Sequence, residues 1–592
     1  MKELISNLEK LFKPNQRHSN FQNFITQINF PFYKGLAEFT QINFSFPLTL
    51  LVGQNGCGKS SVLQALETAP EQTALTLRWF TTHLDPIMLS KDGQRPCYWY
   101  EYFNKEAGKI VQVLNTRINK KNNPDYWESS RPVLKYGMQP LEELSDGKTQ
   151  PGRSKTRWNG VSRKVVYIDF RGELSAFDKY FYFEKAPRKK LYSSRQDYLR
   201  YFSKFLKIVF ENNRNSYLYR SKQKVRSFYE FSAQELDALS SILGKNYLSA
   251  KIVEHDLYKN FGFSVFFRTD DRGYSEAFAG SGEMSVVTTV HKVFNAEPGS
   301  LILLDEPEVS LHPGAQKKLL EFLLQQILEK RHQIVISTHS PSIVENLPKE
   351  AITVLTQNLA GKFNAIDCVP AELAFQHIGH QKQGKKRIFV EDLAAKQLLE
   401  KVLSSRNDQS DQMIEVEFHP GGAKDLFKEA LVIARLGIEG IFIFFDGDQK
   451  RRTIPKDTDI SDGQLDGLIT EVTGIKIGSF SFTADSGNSD HIPQEKRKLL
   501  NFIRERCFFM PGNDPEDTIW ESSGLAVKLT QYTHSCYKER ICAWAKDEVD
   551  SVDARDFKSY RGRLLKKMYT FHPKVLEIND SINKIVNGSY TD

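Results

Sequence analysis

The sequence predicts an α/β protein of two successive parallel-sheet units, the first carrying a large α+β insertion and the second followed by a helical region. Three observations point there. A glycine loop, Gly53-Gln-Asn-Gly-Cys-Gly-Lys59-Ser60, directly follows the apolar run 48–52. The runs 301–304 and 333–337 are almost unbroken apolar segments separated by a helical stretch at 314–329, the pattern of strands covered on both faces. Beyond the polar linker 380–387 the alternation of strand and helix begins again. At 592 residues the chain also exceeds what one core can organise.

In chain order, residues 1–27 read as a helix and lead-in, and 28–52 as short β-rich runs ending in the strand before the glycine loop. A helix follows at 60–66. Residues 70–260 form the mixed insertion, with hairpins around 98–103 and 111–115, a core strand at 165–170 and a helix at 198–210. A helix opens at Gly280-Ser281-Gly282-Glu283 and runs through His291. In the second unit, strands at 388–390, 414–418 and 441–445 alternate with helices at 393–403 and 423–436. From about residue 494 the pattern is mostly helical, polar and basic.

Composition narrows the classes. No apolar run approaches the roughly 20 residues that span a bilayer, and the first ten residues mix charge with apolar positions unlike a secretory signal. Six scattered cysteines lack the spacing of a zinc site or disulfide framework, which suits a reducing cytoplasm. The net charge of +8 is unevenly spread: residues 184–230 hold 13 Lys or Arg against 4 acids, interleaved with Tyr192, Tyr198, Tyr201, Phe205 and Tyr217. That mixture suits a nucleic-acid backbone with stacking bases; it equally suits a solvated helix face over core aromatics.

The glycine loop carries the first chemistry. Gly-x4-Gly-Lys-Ser lets backbone N–H groups, here of Asn55, Gly56, Cys57, Gly58 and Ser61, wrap phosphates, while Lys59 reaches the terminal phosphates and Ser60 holds Mg²⁺. Asp305, ending an apolar strand, is suited to the same metal, and Glu306 beside it to preparing the attacking water. The ordered set of this loop, Gly280-Ser281-Gly282-Glu283, Asp305-Glu306-Pro307-Glu308, Ser310-Leu311-His312-Pro313 and Ser337-Thr338-His339 resembles the ABC-type ATPases. It is similar above all to the soluble SMC-like and overcoming-lysogenization-defect (OLD) branch. The resemblance implies ATP as ligand and a homodimer or higher oligomer through the ATPase heads. In it Ser281 and Gly282 of one subunit cap the phosphate held by another's Lys59, and His339 senses hydrolysis. This sequence has Ala279-Gly280 where many members have Leu-Ser, and Asp169-Phe-Arg171-Gly marks the region of the Q-loop.

The second chemistry lies at strand ends. Glu391 closes 388–390, and Asp446-Gly-Asp448 closes 441–445. Two strand ends of one parallel sheet can bring three carboxylates together, and their repulsion favours a bound cation. Glutamate, helix, strand, helix, then Asp-x-Asp, with the turns at 419–423 and 510–517, resembles the Toprim domain of topoisomerases, primases and OLD-family nucleases. By that resemblance Glu391, Asp446 and Asp448 bind Mg²⁺, with Mn²⁺ as an alternative, and Glu516 helps with a second ion. Asp392 and Ala395 depart from the family pattern, Asp514 and Asp517 compete with Glu516, and no catalytic lysine is identified.

The resemblance thus implies an ABC-type ATPase domain at 1–375 with its insertion at about 70–260, a Toprim nuclease domain at 384–520, and a helical extension at 521–592. The implied function is an ATP-gated, Mg-dependent DNA endonuclease of the OLD family, an anti-phage defence effector. DNA is then the partner, together with a reverse transcriptase bearing its RNA–DNA product or a helicase, and no membrane. The alternative is a non-nucleolytic ATP-dependent DNA clamp or sensor with a degenerate Toprim domain.

Overall fold

The apolar runs that read as buried strands occupy the middle of the first unit's central sheet. The structure is a computed structural model. It describes every residue except 71–73, 91–92, 121–122, 144–149, 186–191, 271, 359–360, 372, 375–385, 407, 409, 420, 483–490, 527, 549–553 and 588–592. The chain divides into Met1–Ala374 and Phe375–Asp592.

In the first unit the central sheet has the spatial order Phe363–Asp367, Ile352–Gln357, Leu48–Gly53, Gln333–Thr338, Leu301–Asp305, Val165–Asp169. All pairings are parallel except the hairpin of the first two. Leu48–Gly53, Leu301–Asp305 and Gln333–Thr338 are buried at every position, which is why they carry no polar alternation. Their register sets Asp305 between Ser337 and Asp169 at the C-terminal edge, next to where the glycine loop leaves Gly53. Helix Lys59–Thr68 starts from that loop. The Leu-His-Pro turn proves to be a helix start: His312 Nδ1 accepts from the Ala315 N–H at 3.2 Å, and Pro313 occupies the first turn of Pro313–Lys330.

The interval 70–260 is not one inserted body. Strands Cys97–Asn104, Lys109–Lys120 and Asn123–Ser130 extend an antiparallel sheet begun by Ile25–Phe32 and Thr40–Asn43. Val165–Asp169 is the edge strand of the central sheet and only half-buried, rather than a core strand. A further sheet runs from Tyr217–Tyr219 to Gly273–Ser275, past the expected end of the insertion. Its helix Arg195–Glu211 turns Tyr198, Leu199, Phe202 and Leu206 into a core shared with Tyr180, Tyr192 and Val253. Tyr201, Phe205 and Tyr217 pack against that core. The aromatics of the basic stretch therefore hold the lobe together, because an amphipathic helix must bury its apolar stripe. Arg188, Lys189 and Lys190 of that stretch lie outside the described residues.

In the second unit four parallel strands lie in the order Ile414–Phe418, Lys386–Val390, Ile441–Phe445, Cys507–Phe509. The last is a three-residue strand inside the stretch expected to be helical. Residues 380–385 of the expected linker lie outside the described residues, while Lys386 and Arg387 already belong to a strand. The expected division at 520/521 is not a boundary of the fold. Ile541, Trp544, Leu564, Val575, Ile578, Ile582 and Ile585 from the C-terminal helices share one core with Ile388, Leu398, Phe442 and Phe444. Among the described residues, no helix is long and apolar enough to cross a membrane.

Candidate functional site

At the phosphate loop, Gly56 and Gly58 take left-handed φ values of 80° and 98°, which turn the chain back on itself so that its N–H groups face one point. Asn55 and Gly56 are exposed, Cys57 is buried beneath them, and Ser61 is half-buried in the first helical turn. Lys59 Nζ donates to the carbonyls of Gly53 at 2.9 Å and Gln54 at 3.1 Å, and stands 2.8 Å from His339 Nε2. Ser60 Oγ donates to Asp305 Oδ1 at 3.1 Å, and Tyr167 OH to Asp305 Oδ2 at 3.2 Å; Ser337 Oγ also donates to Asp305.

Glu306 follows Asp305 with a left-handed φ of 57°, its N–H bonded to the Ser337 carbonyl at 3.0 Å. That kink takes its side chain off the sheet edge into the same group. Arg171 Nε donates to Glu306 Oε2 at 3.1 Å and Arg171 Nη2 to Oε1, while His339 Nε2 lies 3.5 Å from Oε1. Burial pushes the Glu306 carboxyl up, but Arg171, with His339 and Lys59, overrides it and holds the carboxyl below its usual range. Burial, then Lys59, lowers His339, so its imidazole is neutral near pH 7. Glu308 Oε1 accepts the His339 N–H at 2.6 Å and so sets that residue's backbone.

Lys59, Ser60, Asp305, Glu306 and His339 thus stand together. Ser281 and Gly282 do not join them; they open the helix Ser281–Phe294, with Ser281 exposed. A β-carbon on Gly282 would come within 2.5 Å of the Ser310 carbonyl oxygen, so the glycine is needed where this helix start crosses the 310–311 segment. Glu283 anchors the start, accepting from Tyr247 OH at 2.5 Å, Tyr274 OH at 2.6 Å and Lys245 Nζ at 3.0 Å. Arg171 lies in the stretch that marks the Q-loop region, but no motif there assigns it a partner at the phosphate loop. Its only signal was the Asp-Phe-Arg-Gly string at the end of an apolar strand.

In the second unit, Glu391 and Asp446 end adjacent parallel strands, and Glu391 Oε1 accepts the Asp446 N–H at 2.8 Å. Gly447 is required by close approach: a β-carbon there would overlap the carbonyl oxygen of Gly512. Through that contact, the Asp448 N–H to Asn513 O bond at 3.0 Å, and the Met510 N–H to Phe445 O bond at 2.8 Å, the 510–517 turn docks beside Asp-Gly-Asp. The three acids of that turn then separate by role. Asp514 caps helix Pro515–Glu521, accepting from Asp517 N at 2.9 Å. Asp517 pairs with Lys574. Glu516, 1 % exposed, accepts from Arg561 at 3.1 Å on one oxygen and has Lys538 Nζ 3.8 Å from the other. Asp392 is likewise a cap, accepting from Ala394 and Ala395 N–H at 2.8 and 2.9 Å.

The electrostatics are those of crowded anions. Asp446 is pushed up to about 8, by burial first and then by Glu391, Asp392 and Asp448. Burial likewise raises Glu391 and Glu516. Among the described residues, buried Asp446 Oδ1 and Glu516 Oε2 have no hydrogen-bond partner. Such oxygens suit a hard divalent cation, which takes oxygen donors and offsets like-charge repulsion. Among the described residues, no three His, Cys, Asp or Glu side chains stand in a ready coordination cage. Glu516 is drawn toward Arg561, and Glu391 spends an oxygen on the backbone of Asp446. Lys538 is the lysine that faces these acids: against the cost of burial, Glu516, Asp392, Asp514 and Asp446 hold its ammonium charged.

The chain matches two family models, one described as an AAA ATPase domain over residues 176–344 and one described as an AAA domain over 20–139. The first unit is accordingly an ATPase domain. Among curated proteins the chain is 23% identical over 306 residues to protein ea59 of Escherichia phage lambda, covering 51% of this chain and 47% of that protein. It is 23% identical over 337 residues to an OLD nuclease of Thermus scotoductus, covering 53% and 58%. The chain thus spans about half the length of the curated relatives it matches. Among solved structures, the Smc head domain with an extended coiled coil from Pyrococcus furiosus, bound to the C-terminal domain of ScpA, covers 60% of this chain at 11% identity and a TM-score of 0.35.

Proposed function

We propose that this chain is an ATP-regulated, metal-dependent DNA endonuclease of the OLD type. In this reading Lys59, Ser60, Asp305, Glu306 and His339 bind and hydrolyse ATP, and Glu391, Asp446, Asp448 and Glu516 form the cleavage site. The observation that carries the second half is the docking of the Glu516 turn onto Gly447. It brings the turn that carries Glu516, whose buried Oε2 has no hydrogen-bond partner among the described residues, onto the loop of Asp446, whose Oδ1 likewise has none. A Mg²⁺ or Mn²⁺ pair bound there supplies activation of water and neutralisation of phosphate charge. Glu391, Asp446 and Asp448 would hold one ion and Glu516 would help hold the second. Lys538, beside Glu516, is positioned to face a phosphodiester. On the ATPase side Glu306 takes a proton from the attacking water, and His339 stays neutral beside Lys59 as an acceptor or donor to phosphate. Pairing of two chains, with Ser281 and Gly282 of one meeting the Lys59 loop of the other, would complete the ATPase site.

The non-nucleolytic clamp has one observation in its favour. Asp392 spends a carboxylate oxygen on capping a helix, and Ala395, fully buried, offers no donor. The experiment that decides is plasmid cleavage with Mg²⁺ or Mn²⁺, run beside ATP hydrolysis. Asp446→Ala is expected to abolish cutting and keep hydrolysis; Glu306→Gln is expected to stop hydrolysis. Cutting by the Asp446→Ala protein would remove the cleavage site from the proposal. A wild-type protein that binds DNA with ATP and never cuts it would favour the clamp.

A further inference from the structure

We propose that Arg171 is a γ-phosphate contact of this ATPase site, exchanging the Glu306 carboxylate for the terminal phosphate when ATP binds. The inference rests on the reading of Glu306 as the group that prepares the attacking water.

The argument starts from how Arg171 is held. Its backbone is fixed, while its side chain is largely exposed and held by its ion pair with Glu306. The Arg171 N–H donates to Asp169 Oδ1 at 3.0 Å, and the N–H groups of Gly172 and Glu173 donate to the Asp169 carbonyl at 2.9 and 3.1 Å. This tight turn ends the strand that pairs directly with Leu301–Asp305, with Asp169 opposite Asp305. The Arg171 side chain is nevertheless 64 % exposed and reaches inward to Glu306, which is 13 % exposed. Moving the guanidinium therefore disturbs little packing.

Its partner identifies its ligand. The guanidinium embraces both oxygens of the carboxylate that neighbours the reacting phosphate. Carboxylate and phosphate present the same pair of acceptors to this fork, and phosphate carries the greater charge. Lys59, on the other side of the group, already points at carbonyls that a phosphate would displace. The exchange has two effects. It adds a positive charge where negative charge builds during phosphoryl transfer, and it frees the Glu306 oxygens to accept a proton from water.

The test separates this contact from a merely structural role. ATP and ADP dissociation constants are measured for Glu306→Gln and for the double variant Arg171→Ala/Glu306→Gln, in which hydrolysis does not interfere. Loss of a charged hydrogen bond predicts ATP binding weakened by about 10- to 100-fold, with ADP binding and the unfolding midpoint unchanged. Arg171→Lys, which keeps the charge and loses the fork, is expected to recover only part of the ATP affinity. Equal effects on ATP and ADP, no effect on either, or tighter ATP binding would each overturn the proposal. Continued hydrolysis by Glu306→Gln would instead overturn the role given to Glu306.

Discussion

Among the described residues, the acids of the phosphate-loop site leave one buried carboxylate oxygen, Glu308 Oε2, without a hydrogen-bond partner, whereas the strand-end cluster of the second unit leaves two, Asp446 Oδ1 and Glu516 Oε2. Asp305 receives Ser60, Tyr167 and Ser337, and Glu306 receives Arg171. Among the described residues, buried Asp446 Oδ1 and Glu516 Oε2 have no hydrogen-bond partner, Lys538 Nζ standing 3.8 Å from the latter, and Asp446 is raised where Glu306 is lowered. Both sites sit at the C-terminal edge of a parallel sheet, yet they differ in how their acids are neutralised: Arg171 pairs directly with Glu306, whereas Asp446 is raised by the acids around it. The first combines cations and acids and suits an anion with its metal. The second is dominated by acids and suits a cation before any substrate.

The contrast can be broken by substitution, beginning with the glycine at each crossing of two segments. Gly447→Ala forces a β-carbon into the Gly512 carbonyl, a backbone atom with little room to yield. It is expected to destabilise the second unit by about 3 kcal/mol or more and to undock the Glu516 turn, while ATP hydrolysis by the first unit persists. Gly282→Ala meets the Ser310 carbonyl oxygen at 2.5 Å and should cost less. Denaturant unfolding of both full-length variants checks this, and equal losses would remove the distinction.

Next in size is the effect of the unpartnered acid on stability. Asp446 has a folded-state value of about 8 against an ordinary 3.8. Between those limits the unfolded chain ionises while the folded one keeps its proton, so stability falls as pH rises from about 4 to 8 and levels above that. Asp446→Asn is expected to flatten this slope in chelator, raising stability at pH 8, and to lose the stabilisation by Mg²⁺ or Mn²⁺ that the proposed site predicts for the wild type. Glu306→Gln, at a carboxyl held low by Arg171, should not raise stability at pH 8. Unfolding curves at several pH values, with and without metal, decide; a steep slope retained by Asp446→Asn would contradict the unpaired-charge account.

The smallest effect belongs to a buried acid that does have partners. Glu276 in the first unit accepts from Ser264 Oγ at 2.5 Å and Val265 N at 3.0 Å, and burial raises it to about 7 from 4.5. Its contribution is therefore lost as pH rises from about 4.5 to 7. Nearby His255, lowered to about 3 by burial, acts in the opposite direction, its contribution being lost as pH falls below about 6.5. Glu276→Gln should flatten only the first of these. An unaltered pH profile would mean that Glu276 is ionised in the fold.

Much of this was legible in the residues because it is local. A strand that feeds a glycine loop and a helix that starts at Ser281 are written in consecutive positions, and so are acids placed at strand ends. What the residues leave open involves distance along the chain. The aromatics of 192–217 suit stacking bases and a core equally as sequence, and helix Arg195–Glu211 turns them into a core. The helices beyond 521 looked like an appendage until their apolar faces entered the core of the second sheet.

The sequence by itself determined the chemical inventory: one phosphate loop with its strand-end acids, and a second set of carboxylates at later strand ends. Only the tertiary structure decided who meets whom. It gave Glu306 to Arg171, 135 residues away, and docked the Glu516 turn on Gly447. It assigned Asp514 and Asp392 to helix caps, and brought Lys538 to face the acids. The physical reason is that backbone conformation and burial periodicity are set by neighbours in sequence, whereas charge pairing depends on sheet register and on which loops pack closely enough to need a glycine between them.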